Sequence, residues 1–349
     1  MGFRRLDDAV LNLVNGQLPR IHRDNLPVMP TVRQALQSAL DENGGTIPFD
    51  TFMGIALHHP QDGYYPRNVR TIGSRGDFTT VPQLTPALGQ AIGGWLREEA
   101  AKRSWKRLNV IECGPGSGVL ASAVMKSFGW FGRRKVDLHL VETSHPLREE
   151  QGKRLAGTWH PTIGEALAAC EGRALVYHNE FFDAFPCRVF RKEADGWTEL
   201  QLKVIEGKLQ EVFLPPTRPL PASTVFAREW ATGQRIEVFE SVHDWMRGMA
   251  GSWKQGAMLV VDYGGSADQI YQRRPAGTLR AYRGQQRLAG DAVYEMPGRQ
   301  DITADVNFDD LAMWMREFGG EADRSKSLGA IAPHAPGAEA FHCLALAKG

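Results

Sequence analysis

The stretch "VIECGPGSGVLA", Val110 to Ala121, sets an apolar run, a turn with three glycines and a run of small apolar residues in succession. The first part reads as a short buried strand, "LNVIEC", and the last as the opening of a helix, "LASAVMKSF". Glycines at such a junction let the backbone pass close to a ligand, while helix N–H groups point at it. The dinucleotide fingerprint G-x-G-x-x-G needs a third glycine where Val119 stands. In its place the chain carries Glu112, Gly114, Gly116 and Gly118 at alternate positions, with the acid just ahead of the turn. A phosphate gains little beside that carboxylate, whereas an amino group or a cationic centre gains from it.

Working outward, helix and strand alternate. "PALGQAIGGWLREEAAKR" reads as a helix before the first strand. "VDLHLVE", "RALVYHNE", "GAMLVVDYG" and "FHCLALAKG" read as further strands, and "HPLREEQGKRLA" as a helix. Apolar strands separated by helices predict an α/β fold with a mainly parallel sheet covered on both faces. This domain spans 85–349 and carries two insertions. The first, about 187–240, alternates like antiparallel strands with turns near Asp195-Gly196 and Glu206-Gly207. The second, about 264–308, is polar and rich in Gly and Arg. Residues 1–84 form a helical N-terminal extension and a loop. "LDDAVLNLVNGQL" and "TVRQALQSAL" are amphipathic, and "TIPFDTFMGIALHHP" adds a helix with Asp50 as its expected N-cap. The loop "QDGYYPRNVRTIGSRGDFTTVPQLTP" is too long for a mere connection, and its aromatics argue against disorder.

Composition removes several classes of function. The 349 residues are 42% hydrophobic with a net charge of +1, so no basic field gathers nucleic acid. No stretch of about 20 apolar residues exists, so membrane insertion is not expected. Neither a signal nor a transit peptide is visible, which gives a cytoplasmic expectation. The four cysteines are far apart without metal-ligand spacing, so no metal and no disulfide framework are expected, only buried thiols. A homodimer is left open.

Glu142 ends the second strand in "HLVETS", where an acid can accept hydrogen bonds from both hydroxyls of a ribose. With Glu112, Gly114, Gly116 and Gly118, this describes a nucleoside with an amino-acid tail and no phosphates. S-adenosyl-L-methionine fits. Two alternatives stand beside it: a turn that serves only tight strand–helix packing, and an NAD-type ligand. After the strand "ALVYH" comes "NEFFDAFP", at the carboxyl end where substrates meet cofactors in open α/β sheets. Asn179 belongs to the cofactor side there, and Glu180 and Asp183 are the candidate catalytic acids. Phe181, Phe182 and Phe185 supply an apolar wall; alternatively Asp183 caps a helix and the phenylalanines are core.

The ordered set "HHPQDGYY", "GSRGDFTT", "IECGPGSGVL", "HLVE", "NEFFDAFP", "VVDYG", "GTLRAYRG" and "PGRQDITADVNF" resembles the MidA family. These are S-adenosylmethionine-dependent methyltransferases, among them a mitochondrial protein arginine methyltransferase needed for complex I assembly. The resemblance runs from about residue 30 to the C-terminus. It implies a class I methyltransferase fold, Rossmann-like with seven strands, the last antiparallel. It further implies that the "GDFTT" loop, with Gly76, Asp77, Phe78 and Thr80, closes over the cofactor. The chain departs from the family at Val81, Gln83, Gln285, Asp305 and Asn307, all on the substrate-facing side.

The resemblance therefore points to methyl transfer to arginine of a partner protein. Methyl transfer is an in-line displacement, so the protein contributes positioning and electrostatics. A guanidinium stays protonated to above about pH 12, and carboxylates must orient it and localise its charge. Glu180 and Asp183 are the candidates, with Asp301 and Asp305 as further acids on the substrate side or, alternatively, turn caps. Asp305 can replace the charge lost at Gln83 if it faces the same cleft. The competing readings are a cofactor-binding assembly factor with little or no catalysis and a small-molecule methyltransferase.

Overall fold

The computed structural model describes residues 30–68, 86–284, 286–323, 325–330, 332 and 341–349. Gly76, Asp77, Phe78, Thr80, Val81, Gln83 and Gln285 lie outside the described residues, as does the helix expected at "LDDAVLNLVNGQL"; "TVRQALQSAL" forms the helix Val32–Glu42. The described residues divide into two compact units. One comprises those within 86–181, 243–266 and 308–349; the other comprises 30–68 and those within 182–242 and 267–307.

The first unit is an open sheet with strands β1 (Leu108–Cys113), β2 (Val136–Val141), β3 (Thr158–His160), β4 (Arg173–Asn179), β5 (Gln255–Gly265), β6 (Glu321–Ala322) and β7 (Phe341–Lys348). Their order is β3-β2-β1-β4-β5-β7-β6. The pairs β1–β2, β2–β3, β1–β4 and β4–β5 are parallel, and β7 runs antiparallel to both β5 and β6. These seven strands have the order and the reversed last strand that the resemblance implies, and Lys326–Ser327 pairs with β7 off this path. Along β1 and β2 every residue but the second is buried, as the near-continuous apolar runs require. Helix α1 (Ala87–Lys102) buries Leu88, Ile92 and Leu96, and helix α2 (Val119–Ser127) buries Leu120 and Val124. Both stripes join Val110, Leu138 and Tyr177 in one core. Helix α3 (His145–Gly152) starts where Ser144 accepts a bond from the Leu147 N–H, with Pro146 in its first turn. The strand order reverses between β1 and β4, where a parallel sheet opens a crevice at its carboxyl edge.

The second unit is antiparallel. Strands Thr46–Pro48, Gly196–Ile205, Arg188–Glu193 and Arg235–Val238 lie in that order, and Lys208–Leu214 pairs with Gly196–Ile205. The Glu206-Gly207 turn holds both residues at positive φ, 50° and 76°, as a tight hairpin of this kind demands. Phe190, Val225, Ile236, Val238 and Tyr271 form the core. Within the sheet, the buried Arg188 forks onto Glu199 of the neighbouring strand, at 2.7 and 2.9 Å. A smaller sheet sets Arg280–Arg283 between Gln286–Leu288 and Asp301–Thr303. The helix Phe49–His58 begins one residue earlier than its expected cap: Pro48 holds the cap position, because Thr46–Pro48 is itself a strand. Asp50 sits in the first turn and pairs with Arg218 at 2.8 Å.

All four cysteines are buried and unpaired. Among the described residues no helix is long and apolar enough to cross a membrane.

Candidate functional site

The glycine turn lies in the first unit, at the carboxyl end of β1. Gly114, Gly116 and Gly118 have φ of 63°, 52° and 76°, a region that L side chains rarely adopt. A Cβ at Gly114 would come within 2.7 Å of the Phe181 ring, whereas one at Gly116 would meet nothing within 4 Å. One glycine thus lets β4's exit loop close on the turn, and the other keeps an open face. Gly118 is the cap residue of α2 and offers no side-chain bond to its first N–H groups.

Glu112 is buried and accepts a 2.7 Å hydrogen bond from the Tyr177 hydroxyl. Burial pushes its carboxyl up to about 8, and the tyrosine offsets only part of that. Glu142 follows β2 and is half-buried. Its Oε1 accepts from the Ser144 N–H at 2.8 Å and its Oε2 from Gln151 at 3.5 Å. Desolvation pushes it up to about 7 against those bonds. A carboxylate takes about four hydrogen bonds, so Glu142 keeps acceptor capacity for two ligand hydroxyls.

Gln151, on α3, ties these parts together. It is fully buried, and its amide donates to the Gly116 carbonyl at 2.8 Å as well as reaching Glu142. Its Oε1 accepts from the Trp159 indole at 2.6 Å, which fixes the orientation of the amide because an indole N–H only donates. Nothing local in "REEQGK" marks this glutamine apart from its solvated neighbours; its partners lie 35, 9 and 8 residues away.

At the end of β4, Asn179 donates to Glu180 at 2.9 Å, while its own Oδ1 is buried without a hydrogen-bond partner among the described residues. Glu180 has φ +50°, and its N–H bonds the Val261 carbonyl at 3.0 Å. A non-glycine residue in this region is strained and needs its surroundings to hold it. Asp262 contributes by accepting from the Phe181 N–H at 3.3 Å. Phe181 packs edge-on to Trp245, with centroids 5.7 Å apart.

Asp183 and Asp301 fall in the second unit, in a cluster of their own. Thr303 donates to Asp183 at 3.1 Å and Tyr65 donates to Asp301 at 3.0 Å. Burial raises both carboxyls, Asp183 to about 6 and Asp301 to about 7, the latter also through the charge of Asp183. His58, stacked on Tyr65, bonds the Ala184 carbonyl at 2.9 Å. Asp305 is bridged by Arg274 and Arg280, each at 2.6 Å, so both its oxygens are held by internal cations. Phe182 and Phe185 are buried and pack edge to face, as core rather than an exposed wall. Tyr65, His58 and Thr303 are functional candidates that spacing along the chain does not reveal.

The first unit's residues suit an adenosine with an amino-acid tail. They combine an open-faced glycine turn, an uncapped helix start, an acid with spare acceptor capacity and a buried orphan acceptor on Asn179. They suit a pyrophosphate less well, because the half-buried acid Glu142 would face it.

Comparison with known proteins agrees. The family described as "Putative S-adenosyl-L-methionine-dependent methyltransferase" matches residues 88–325. The zebrafish (Danio rerio) mitochondrial protein arginine methyltransferase NDUFAF7 is 30% identical over 309 residues, 79% of this chain and 69% of its own length. The Xenopus tropicalis protein of the same name is 29% identical, over 83% of this chain and 71% of its own. A crystal structure from Burkholderia thailandensis with bound S-adenosyl-homocysteine superposes with a TM-score of 0.76 at 23% identity, covering 95% of each chain. It shares the fold. The chain belongs to this family of S-adenosyl-L-methionine-dependent methyltransferases, similar to MidA proteins, and S-adenosyl-L-methionine is its cofactor.

Proposed function

We propose that the chain methylates arginine side chains of a partner protein. The observation that carries this reading is the strained Glu180 at the exit of β4, beside the point where the strand order reverses. The arginine methyltransferase names of the relatives support the choice of acceptor.

In this reading Glu142 takes the ribose hydroxyls, and Asn179 with the turn at Gly116 receives the amino-acid end. Bound S-adenosyl-L-methionine supplies a methyl group on a positively charged sulfur. Glu180 accepts guanidinium N–H bonds and draws the positive charge away from the reacting nitrogen. Asp183 and Asp301, both raised by burial in the second unit, are the further candidate acids of this reading. Methylation leaves the arginine still a cation and releases one proton to solvent.

The test is incubation with methyl-labelled cofactor and cell lysate, then acid hydrolysis of labelled protein. Label co-migrating with methylated arginine, and lost in Glu180→Gln, is the expected result. Label on lysine or on small molecules contradicts it. Tight cofactor binding without any transfer favours an assembly factor, a reading helped by Asp305, whose charge is already committed to Arg274 and Arg280.

A further inference from the structure

At the opposite end of α2 from the glycine turn, the chain continues through "KSFGWFGRRK", Lys126 to Lys135. Gly129–Gly132 forms one short helical turn and Arg133–Lys135 another, and neither holds a buried residue. Trp130 is 53% and Phe131 76% exposed, edge to face with centroids 4.9 Å apart. Single exposed apolar residues are ordinary, but two adjacent aromatics at one tip ask for a partner. Lys126, Arg133, Arg134 and Lys135 are exposed around them, and Arg134 lies over the Trp130 ring at 3.7 Å. The segment contains no acid, and the nearby Asp137 is bound by Arg107 at 2.8 Å.

We propose that this tip docks the protein on an anionic lipid surface, with Trp130 and Phe131 at the headgroup level and the four cations against the lipid phosphates. Amphipathic aromatics favour the membrane interface. Each cation near an anionic leaflet strengthens partition about fivefold. Stable anchoring without a spanning helix needs two such signals together, and the tip carries both. A protein partner is the weaker match. A stable interface covers about 800 Å² on each side with a hydrogen-bonding rim, whereas here two rings stand on one short turn with a cationic surround. The inference is independent of the methyl acceptor.

The experiment sediments the whole protein with vesicles of phosphatidylcholine alone and of phosphatidylcholine mixed with phosphatidylserine. Capture by the mixed vesicles only is expected, weakening as salt is raised. Trp130→Ser with Phe131→Ser should abolish capture, and each of Arg133→Ala and Lys135→Ala should weaken it about fivefold. A thermal shift with S-adenosyl-homocysteine matching the wild type shows that these variants are folded. No capture, equal capture by neutral vesicles, or wild-type capture by the aromatic variant overturns the proposal. So does a dimer that the aromatic variant dissociates, since the tip would then belong to a second copy.

Discussion

Glu180 and Glu142 carry the sharpest expectations at the scale of single residues. Glu180 sits at φ +50°, a conformation costing about 1–2 kcal/mol for an ordinary side chain and little for glycine. Glu180→Gly should therefore leave the melting temperature unchanged or raised while transfer is lost. A variant that melts lower and still transfers would remove Glu180 from the chemistry. Glu142 is held near 7, and ribose hydroxyls donate best to its ionised form. Cofactor affinity should rise with pH, by up to about tenfold per unit below 7, and level off above. Glu142→Gln should weaken binding by about tenfold to a hundredfold and flatten this dependence. An unaltered pH profile in Glu142→Gln would place the titrating group elsewhere. Both acids stand out as candidates in the sequence because each directly follows a strand, as does Asn179, which ends one. The glutamine that reaches Glu142, Gln151, does not.

Turns and helices show which parts of the site the sequence can reveal. The glycine turn is local: strand, glycines and helix stand within twelve residues, Val110 to Ala121, so the turn is read from those residues and its ligand class once Glu142 is added. Gln151 is the counter-example, a polar residue on a charged helix that is fully buried beneath the turn. Only the fold brings it to Gly116 and Glu142. Gln151→Leu keeps the volume but strands the Trp159 N–H and the Gly116 carbonyl, each at about 1–3 kcal/mol. The expected outcome is a lower melting temperature and about a tenfold weaker Kd for S-adenosyl-homocysteine. A lower melting temperature with unchanged Kd would make Gln151 a packing residue only. Strand β3 and the two-residue β6 left no readable pattern, because so few residues cannot show a period. The hairpins of the second unit were readable from alternation and from Gly207.

The whole molecule combines several carboxyls that burial holds protonated. Glu112 near 8 and Glu142 and Asp301 near 7 bind protons in the folded state that the unfolded chain releases at the same pH. Their contribution to stability is complete below their ordinary values of about 4 to 4.5 and is lost progressively from there up to the raised values. Burial shifts His58, His59, His139, His160 and His178 downward, His178 to about 3, so they act in the opposite sense, but only below their ordinary value of about 6.5. Above pH 6.5 the histidines no longer contribute, so the cofactor-free melting temperature should fall from there towards pH 8 in a thermal scan. A steady rise across that interval would mean that these acids are ionised in the folded protein. Net charge, +1 over the chain, gave no hint of this, since it counts residues and not their surroundings. The most direct measurement is a crystal structure with S-adenosyl-homocysteine. Both ribose hydroxyls should lie within about 3 Å of Glu142, with the Glu180 carboxylate facing the sulfur. Adenosine bound away from Glu142, or Glu180 turned from the sulfur, would contradict the assignment of cofactor and chemistry to this crevice.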